Sequence, residues 1–501
     1  MRTRVADTLD VLDRLKCEYV DLIVIDLRAA PEAGFGLLDI LDIPDDIEAR
    51  YGFHRLVGIV GGQGDATDRL IADLGAHKVG RVLRDPVSAD DAVAAMLLDR
   101  PRGRTAVCCS GGGITGICYE FGALKCLTDC LSGGAIHDLD LYFGVSAGAV
   151  VNGIVAAGYV PEELMGAILG HTGGRVPKLD LSLLHLSHLN TRDALPRSGL
   201  AAVRTLRTVG RALRRGKRPN VNDLLLYYTA LVGTPFRSDR FGEILLGLMT
   251  APGACNDFRK LPRQLFIGAS DQDTREHRLF GPPGQDHIPI HRAIQASLSM
   301  NPAFSSVEID GRVYEDGQVT RTSHFGEAVD RGADLILTVD PFVPYVSPRA
   351  GLSDARGMLY NIDQNVRSLS HTRFRGVRDT LLRKHPRVSS YTFLPSNPIR
   401  RVLSTNPMDH RPYLALWNGA YLSTLERLHA LAHRLHGDLA AHGITLDTGR
   451  AEVVATQLQS VDIPRFEDFF VERVIQVRQP PLGCAGPPSG QVRPEPASTR
   501  H

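Results

Sequence analysis

An uncharged run of twenty residues, LYFGVSAGAVVNGIVAAGYV at 141–160, constrains the fold of this chain more than any other stretch. About 20 apolar residues can span a bilayer as a helix, so length alone permits a transmembrane segment. The run contains four glycines, however, and no Lys or Arg flanks it to orient a membrane helix. LDLYF at its start is typical of a buried strand, and the small residues that follow have helical spacing. We therefore predict a strand and a helix inside a globular domain, and no transmembrane segment.

The same alternation extends from Thr105 to about Ser347. Apolar strand patterns alternate there with helical ones: TAVCCS, ITGICYEFGALKCL, LDLYFGV, QLFIGAS and ADLILTVDPF. Such alternation predicts an α/β fold, in which helices flank a mostly parallel sheet. A net charge of +1 over 501 residues gives no global argument for nucleic acid, and we expect no nucleic-acid partner.

We predict four segments on composition and pattern. They are an α/β unit at 1–98, a catalytic domain at 105–347, a mainly helical extension at 348–477 and a disordered tail, rich in Pro and Gly, at 478–501. The first unit resembles an incomplete receiver domain of two-component signalling, with Asp26 at the end of the strand that carries the phosphoacceptor. It lacks an acidic pair upstream, and Asp85 precedes Pro86 where that family has Lys. We therefore expect a structural or regulatory remnant.

The segment CCSGGGITG, at 108–116, places consecutive glycines between a strand and a helix. Glycines leave backbone amides unshielded, so several N–H groups can point at one oxygen, and the helix behind adds the positive end of its dipole. Gly111, Gly112 and Gly113 are therefore candidates for an oxyanion hole. A tight turn or a phosphate-binding loop would use the same residues.

Ser146 lies in the pentapeptide Gly144-Val145-Ser146-Ala147-Gly148 at the next strand-to-helix junction. A sharp turn there exposes the serine hydroxyl, and flanking glycines relieve crowding. The carboxyl ends of neighbouring parallel strands meet at one edge of a sheet, which places this serine near the glycine loop. A serine needs a base. His324 and His371 are candidates without a motif, whereas Asp316 follows the strand GRVYE and precedes Gly317.

In this order, G-G-G-x-x-G, G-x-S-x-G and D-G resemble the patatin-like phospholipase family over about residues 105–345, and AIQASLSMNPAFSSVEIDGRVYEDG at 293–317 is similar to that family's segment before its aspartate. The resemblance implies a three-layer α/β/α sandwich and a Ser146–Asp316 dyad without histidine. The amides of Gly111–Gly113 would bind the oxyanion, with Gly116, Gly144, Gly148 and Gly317 supporting the motifs. Thr115 stands where the family usually has Arg, and Gln318 stands where it has Gly or Ala.

The resemblance implies a serine acyl-ester hydrolase that acts on phospholipids or other lipid esters, with no metal and no cofactor. Two alternatives are a lipid-binding signalling module without catalytic activity and an acyltransferase that uses the same dyad. The N-terminus has acidic residues where a secretory signal has an apolar stretch, and the eight cysteines show no paired metal spacing. We expect a cytoplasmic protein.

One basic stretch, RSGLAAVRTLRTVGRALRRGKRPN at 197–220, contains no acidic residue. Its apolar residues recur every three to four positions, which predicts an amphipathic helix with an arginine-rich face. Such a helix can lie on an anionic membrane surface, or its apolar stripe can pack on the core of the protein. The candidate membrane contacts are Arg204, Arg207, Arg211, Arg214 and Arg215.

Overall fold

The structure of the protein is a computed structural model. It describes residues 15, 20, 22–41, 48, 56–77, 79, 81–96, 103–170, 176, 191–216, 236–301, 303–385, 387–406, 408 and 411–471. The predicted tail at 478–501 lies outside the described residues, as do Lys217 and Arg218 of the basic stretch.

A small parallel sheet forms the N-terminal unit. Its strands are β1 (Ile23–Asp26), β2 (Leu56–Val60) and β3 (Arg81–Arg84), in the order β1-β2-β3. Helices α1 (Pro31–Leu41), α2 (Asp65–Ala76) and α3 (Ala89–Met96) follow them. Leu27, Leu38, Leu56 and Leu74 belong to a separate small core. The receiver-like interpretation of this unit stays a prediction.

An eight-stranded sheet forms the centre of the molecule, in the order β11-β10-β4-β5-β6-β9-β8 with β7 paired to β6. The strands are β4 (Arg104–Cys109), β5 (Leu141–Val145), β6 (Gln264–Asp271), β7 (His277–Phe280), β8 (Val307–Ile309), β9 (Arg312–Asp316), β10 (Ala333–Val339) and β11 (Ser389–Phe393). From β11 to β6 all neighbouring strands are parallel. The carboxyl ends of β4, β5 and β10 therefore meet at one edge. Strand β9 runs antiparallel to β6, and its last residue, Asp316, pairs with Ala269, one position beyond the β6 partner of Val145.

Helices flank this sheet. They are α4 (Gly113–Cys130), α5 (Ala147–Ala156), α6 (Pro161–Leu169), α7 (Thr191–Arg214), α8 (Asp239–Met249), α9 (Ile290–Ser297), α10 (Phe325–Asp330), α11 (Leu352–Ala355), α12 (Met358–Lys384), α13 (Asn397–Leu403), α14 (Tyr413–Ala441) and α15 (Gly449–Gln459). The predicted fold, a mostly parallel sheet between helices followed by a largely helical C-terminal region, is confirmed.

Helix α4 shows why the C-terminal region belongs to the core. Nearly all of its residues are buried, as expected for a helix covered on every side. One cover is α14: Tyr421 Oη donates to Asp129 Oδ2 at 2.7 Å, and Tyr119 Oη lies 3.2 Å from Ser423 Oγ. The C-terminal region also supplies the edge strand β11, which pairs with β10. The strand pattern SSYTF was not singled out in the sequence.

Within the described part of the chain, none of the helices combines the length and the apolar character that crossing a bilayer would require. The run 141–160 instead forms β5, α5 and the turn that follows, and all but one of its residues are buried.

Candidate active site

The turn between β5 and α5 holds Ser146 in a strained backbone conformation. Its φ of 52° and ψ of −119° fall in a region that residues other than glycine rarely occupy. The Ser146 amide donates to Ser297 Oγ at 2.8 Å, and Ser297 Oγ donates to the Gly268 carbonyl at 2.6 Å. Helix α9 and strand β6 therefore hold the sharp turn that the G-x-S-x-G motif predicts.

The glycines on either side of the serine are required by close backbone approach. A Cβ on Gly148 would lie 2.2 Å from the Cys109 carbonyl oxygen, and one on Gly144 would lie 2.4 Å from the Gly148 carbonyl oxygen. No side-chain carbon tolerates such distances, so a residue with a side chain at either position would push α5 away from the sheet. The spacing of the motif thus reflects how tightly α5 packs on β4 and β5.

Asp316 ends strand β9 and meets Ser146 across the edge of the sheet. Ser146 Oγ donates to Asp316 Oδ2 at 2.6 Å, although 170 positions separate the two residues. The other carboxylate oxygen, Oδ1, accepts the Gln318 amide at 2.8 Å. The carboxylate is therefore oriented on one side by the turn that follows it, while its second oxygen faces the serine hydroxyl.

Burial raises the pKa of the Asp316 carboxyl to about 7, because desolvation penalises its charged form more than the hydrogen bonds from Ser146 and the Gln318 amide stabilise it. The Asp316 residue is 1% exposed. A carboxylate with a pKa near 7 is much more basic than one in water and is still substantially ionised at neutral pH. Such a pKa is well matched to accepting a proton from a hydroxyl.

The two histidines that the sequence offered as alternative bases do not contact the serine in the described part of the chain. His324 Nε2 lies 3.0 Å from His277 Nε2, and burial lowers the pKa of both rings to about 3. His371 Nδ1 lies 3.9 Å from the carboxylate of a different residue, Asp340. The hydroxyl of Ser146 is thus paired with a carboxylate.

The glycine loop lies against the serine turn. The Gly148 amide donates to the Ser110 carbonyl at 2.8 Å, which joins the two strand-to-helix turns through their backbones. The amides of Gly111, Gly112 and Gly113 have no acceptor among the residues that the structure describes. Gly113 is the first residue of α4, so these amides lie at the positive end of its dipole. The loop can therefore offer N–H groups to an anionic oxygen.

Thr115 and Gly116 fix this loop. Thr115 replaces the arginine expected from the family pattern, and its buried hydroxyl donates to the Gly112 carbonyl at 3.2 Å. An ideal Cβ on Gly116 would lie 3.4 Å from Ala147 Cβ, so α4 and α5 pack closely here. The residue that departs from the family pattern therefore supports the loop from within.

Two buried hydrogen bonds at this edge involve residues to which the sequence analysis assigned no role. The Ser110 hydroxyl donates to Asp340 Oδ1, which also accepts the Phe342 amide at 3.0 Å. Asp340 directly follows β10, so it joins the start of the glycine loop to the neighbouring strand. Ser297, which holds the Ser146 amide, is the second contact. Both depend on residues that lie more than 140 positions away in the sequence.

Gln318 connects the catalytic candidates to helix α12. Its side-chain oxygen would lie 1.8 Å from a Cβ on Gly111, so its carboxamide lies directly beside the glycine loop. Arg373 of α12 donates to the Gln318 carbonyl at 2.8 Å and to the Val319 carbonyl at 3.1 Å. Ser370 Oγ lies 3.4 Å from Gln318 Nε2. The turn after Asp316 is therefore held by the C-terminal region.

Comparison with protein-family models gives a match over the central part of the chain. Residues 107–329 match the family described as patatin-like phospholipase. The N-terminal unit lies outside the match.

Among solved structures, the crystal structure of VipD from Legionella pneumophila is similar to this chain. The two are 14% identical, the match covers 72% of this chain and 75% of VipD, and the TM-score is 0.30. A search of curated proteins gives no match. At this level of similarity, the comparison with VipD carries no argument about activity.

Residues 197–214 of the basic stretch are helical and belong to α7. Arg204, Arg207, Arg211, Arg214 and Arg215 are all exposed. Leu200, Val203, Leu206 and Leu213 are exposed as well, and Ala201 is buried. Among the described contacts, none joins α7 to the Ser146 site. The exposure of the leucines favours a surface role for this helix over packing on the core.

Proposed function

We propose that this protein is a serine acyl-ester hydrolase that acts on phospholipids or other lipid esters. The observation that carries the proposal is the hydrogen bond of 2.6 Å from Ser146 Oγ to Asp316 Oδ2, at the edge of the sheet where the free amides of the glycine loop lie. Membership of residues 107–329 in a family of lipid acyl hydrolases supports the choice of a lipid ester.

In the proposed mechanism Asp316 accepts the proton of the Ser146 hydroxyl while Oγ attacks the ester carbonyl carbon. The oxyanion that forms is stabilised by the amides of Gly111, Gly112 and Gly113, and the loss of one such donor typically costs about 2.7–4 kcal/mol in the barrier. Protonated Asp316 then donates to the leaving alcohol, which leaves an acyl-serine. Water attacks this ester while Asp316 takes its proton; the bond between the acyl carbon and Oγ then breaks, Asp316 returns the proton to Ser146 Oγ, and the fatty acid leaves.

Analysis of the products tests this proposal against its two alternatives. We expect the wild-type protein to release free fatty acid and lysolipid from a mixed phospholipid extract, whereas Ser146→Ala releases neither. Mass spectrometry with and without added glycerol would detect the products. Acylglycerol formed at the expense of free fatty acid would identify an acyltransferase. An unchanged lipid profile from a protein that binds vesicles would identify a module without catalytic activity.

We also propose that α7 contacts an anionic membrane surface through Arg204, Arg207, Arg211, Arg214 and Arg215. The support is the exposure of these arginines beside the exposed side chains of Leu206 and Leu213, which lie two helical turns apart. A cationic helix with exposed apolar residues can lie in the headgroup region of a bilayer.

The cytoplasmic location and the segment boundaries predicted from the sequence stay predictions.

Charge reversal tests the contact by α7. The variant with Arg211→Glu, Arg214→Glu and Arg215→Glu should lose at least tenfold in binding to phosphatidylglycerol vesicles, because each cationic residue near an anionic surface contributes about 1 kcal/mol. Co-sedimentation at low salt measures this. Replacing the same three residues by Lys keeps the charge and should preserve binding. Equal binding by the Glu variant and the wild type would contradict the proposal.

A further inference from the structure

Helix α12 has its polar and apolar faces in the reverse of the usual arrangement. Its buried side chains are mainly polar: Gln364, Arg367, Ser370, Phe374 and Arg378. Its exposed side chains include large apolar ones, which lie on one stripe of the helix: Met358, Leu359, Ile362, Val366, Leu369 and Val377. The exposed fraction is 77% for Leu359 and 73% for Leu369. A surface helix of a globular protein normally shows the opposite pattern, with its apolar stripe on the core.

Specific contacts of the buried polar residues fix the rotation of α12. Arg367 donates to the Leu403 carbonyl at 3.0 Å and to the Pro341 carbonyl at 3.5 Å. Gln364 Oε1 accepts the Tyr345 amide at 2.9 Å. Turning the helix to bury its leucines would break these bonds and leave buried polar groups unpaired, which costs about 1–3 kcal/mol for each group. The apolar stripe is therefore held outward by the fold.

The side of α12 that bears the stripe contacts the turn that follows Asp316. Arg373 lies on the same side of α12 as Leu369 and binds the carbonyls of Gln318 and Val319, in the turn after Asp316. Val319 is itself exposed. The exposed side chain of Val319 therefore lies in the turn that Arg373 joins to α12. Exposed apolar surface of this kind, next to a site, marks an interaction surface.

We propose that the apolar stripe of α12, together with Val319, docks on the surface of an anionic lipid assembly and so brings its esters to Ser146. This inference rests on the proposed function. Between Met358 and Val377, all of which the structure describes, Arg373 is the charged residue on the side of α12 that bears the stripe, so this side combines large apolar side chains with a cation and no acid. That combination complements acyl chains beneath anionic headgroups. The apolar residues enter the interface, and the catalytic turn then faces the lipid.

A pair of substitutions tests the docking surface. In a Ser146→Ala background, which prevents hydrolysis, Leu359→Ser with Leu369→Ser should lower partitioning onto mixed phosphatidylcholine and phosphatidylglycerol vesicles at least tenfold. The loss should persist at 0.5 M salt, because apolar insertion is not screened as charge attraction is. The matched control is Val453→Ser with Ile463→Ser, two exposed apolar residues outside the stripe, at 45% and 79% exposure. The control should bind like its parent.

Three measurements separate the outcomes. With Ser146 present, hydrolysis of p-nitrophenyl butyrate, a soluble ester, should be unchanged by the stripe substitutions. If the stripe variant binds vesicles as well as the control does, the docking surface is wrong. A wild-type dimer by light scattering that the stripe variant converts to monomers, with equal vesicle binding, would assign the stripe to a second copy and overturn the proposal. If wild type and Ser146→Ala hydrolyse the soluble ester equally, the proposed function fails, while the vesicle comparison still decides the docking.

Discussion

Ser146→Ala is expected to lower kcat/KM for p-nitrophenyl butyrate by about 10⁴-fold or more, to the level left by binding and oxyanion stabilisation alone. Alanine has no oxygen to attack the ester, and among the described contacts no other hydroxyl donates to the Asp316 carboxylate. A fluorophosphonate, which reacts with activated serines, should label the wild type and leave Ser146→Ala unlabelled. Stopped assays and gel fluorescence measure the two effects.

Ser368→Ala is a suitable control for the probe. Ser368 lies on the exposed surface of α12, and its hydroxyl donates to the Gln364 carbonyl at 2.8 Å without a carboxylate nearby. Labelling and turnover should equal those of the wild type. Equal labelling of wild type and Ser146→Ala would assign the reactive serine to another position. No labelling of either protein, together with no turnover, would favour the lipid-binding module without activity.

Sequence reasoning could place Ser146 near the glycine loop because both directly follow strands, and the carboxyl ends of neighbouring parallel strands share an edge. That rule does not reach Asp316, because β9 runs antiparallel to β6, and the resemblance to the family linked Asp316 to the serine. The structure places Ser146 and Asp316 in a hydrogen bond and joins the loop to the serine turn through Gly148. Their roles in catalysis stay predictions until the variants are assayed.

The dipeptide Asp-Gly occurs twice in this region, and the sequence pattern alone does not distinguish its two structural roles. Asp310-Gly311 forms the hairpin turn between β8 and β9, where Ile309 pairs with Arg312. Asp316-Gly317, six positions later, ends β9 beside the serine. The local sequence is the same for the hairpin turn and for the candidate site. The two differ because pairing of β9 with the neighbouring strand β6 brings Asp316 close to the serine. Only the family's order of motifs distinguished the two.

The face that α12 presents could not be predicted from the sequence. Leu359, Ile362, Val366 and Leu369 recur at spacings of three and four, and that periodicity normally indicates a stripe on the core. The structure exposes them because partners distant in the sequence, Tyr345 and Leu403, bind the polar residues of the opposite face. Ser297 and Asp340 escaped notice for the same reason. Polar contacts between residues distant in the sequence determine which face of α12 is exposed and what Ser297 and Asp340 bind. The periodicity of apolar residues gives no information about such contacts.

Asp316→Asn should lower kcat/KM by about 10³–10⁴-fold with little change in KM, because the amide cannot take the proton of Ser146. Asparagine has nearly the same shape, and its oxygen can still accept the Gln318 amide, so the turn is preserved. In the wild type only ionised Asp316 is active. With its pKa raised to about 7, kcat/KM should fall roughly tenfold per pH unit below neutrality. Pre-steady-state and steady-state rates between pH 5 and 9 measure both effects.

Asp316→Asn should also raise the free energy of unfolding at neutral pH. This result would distinguish loss of the base from damage to the fold. The folded-state pKa of Asp316, about 7, exceeds the unfolded value near 4, so between these pH values the folded protein binds more protons than the unfolded chain. The contribution of Asp316 to stability is therefore lost as pH rises through this window. Asparagine carries no charge that burial would penalise. The Tm difference between Asp316→Asn and the wild type should therefore increase from pH 5 to pH 8. Asp354→Asn, at an exposed carboxylate of α11 for which the described contacts include no ion pair, is the control and should change neither activity nor this difference in Tm. Near-normal turnover by Asp316→Asn would return the role of base to a histidine.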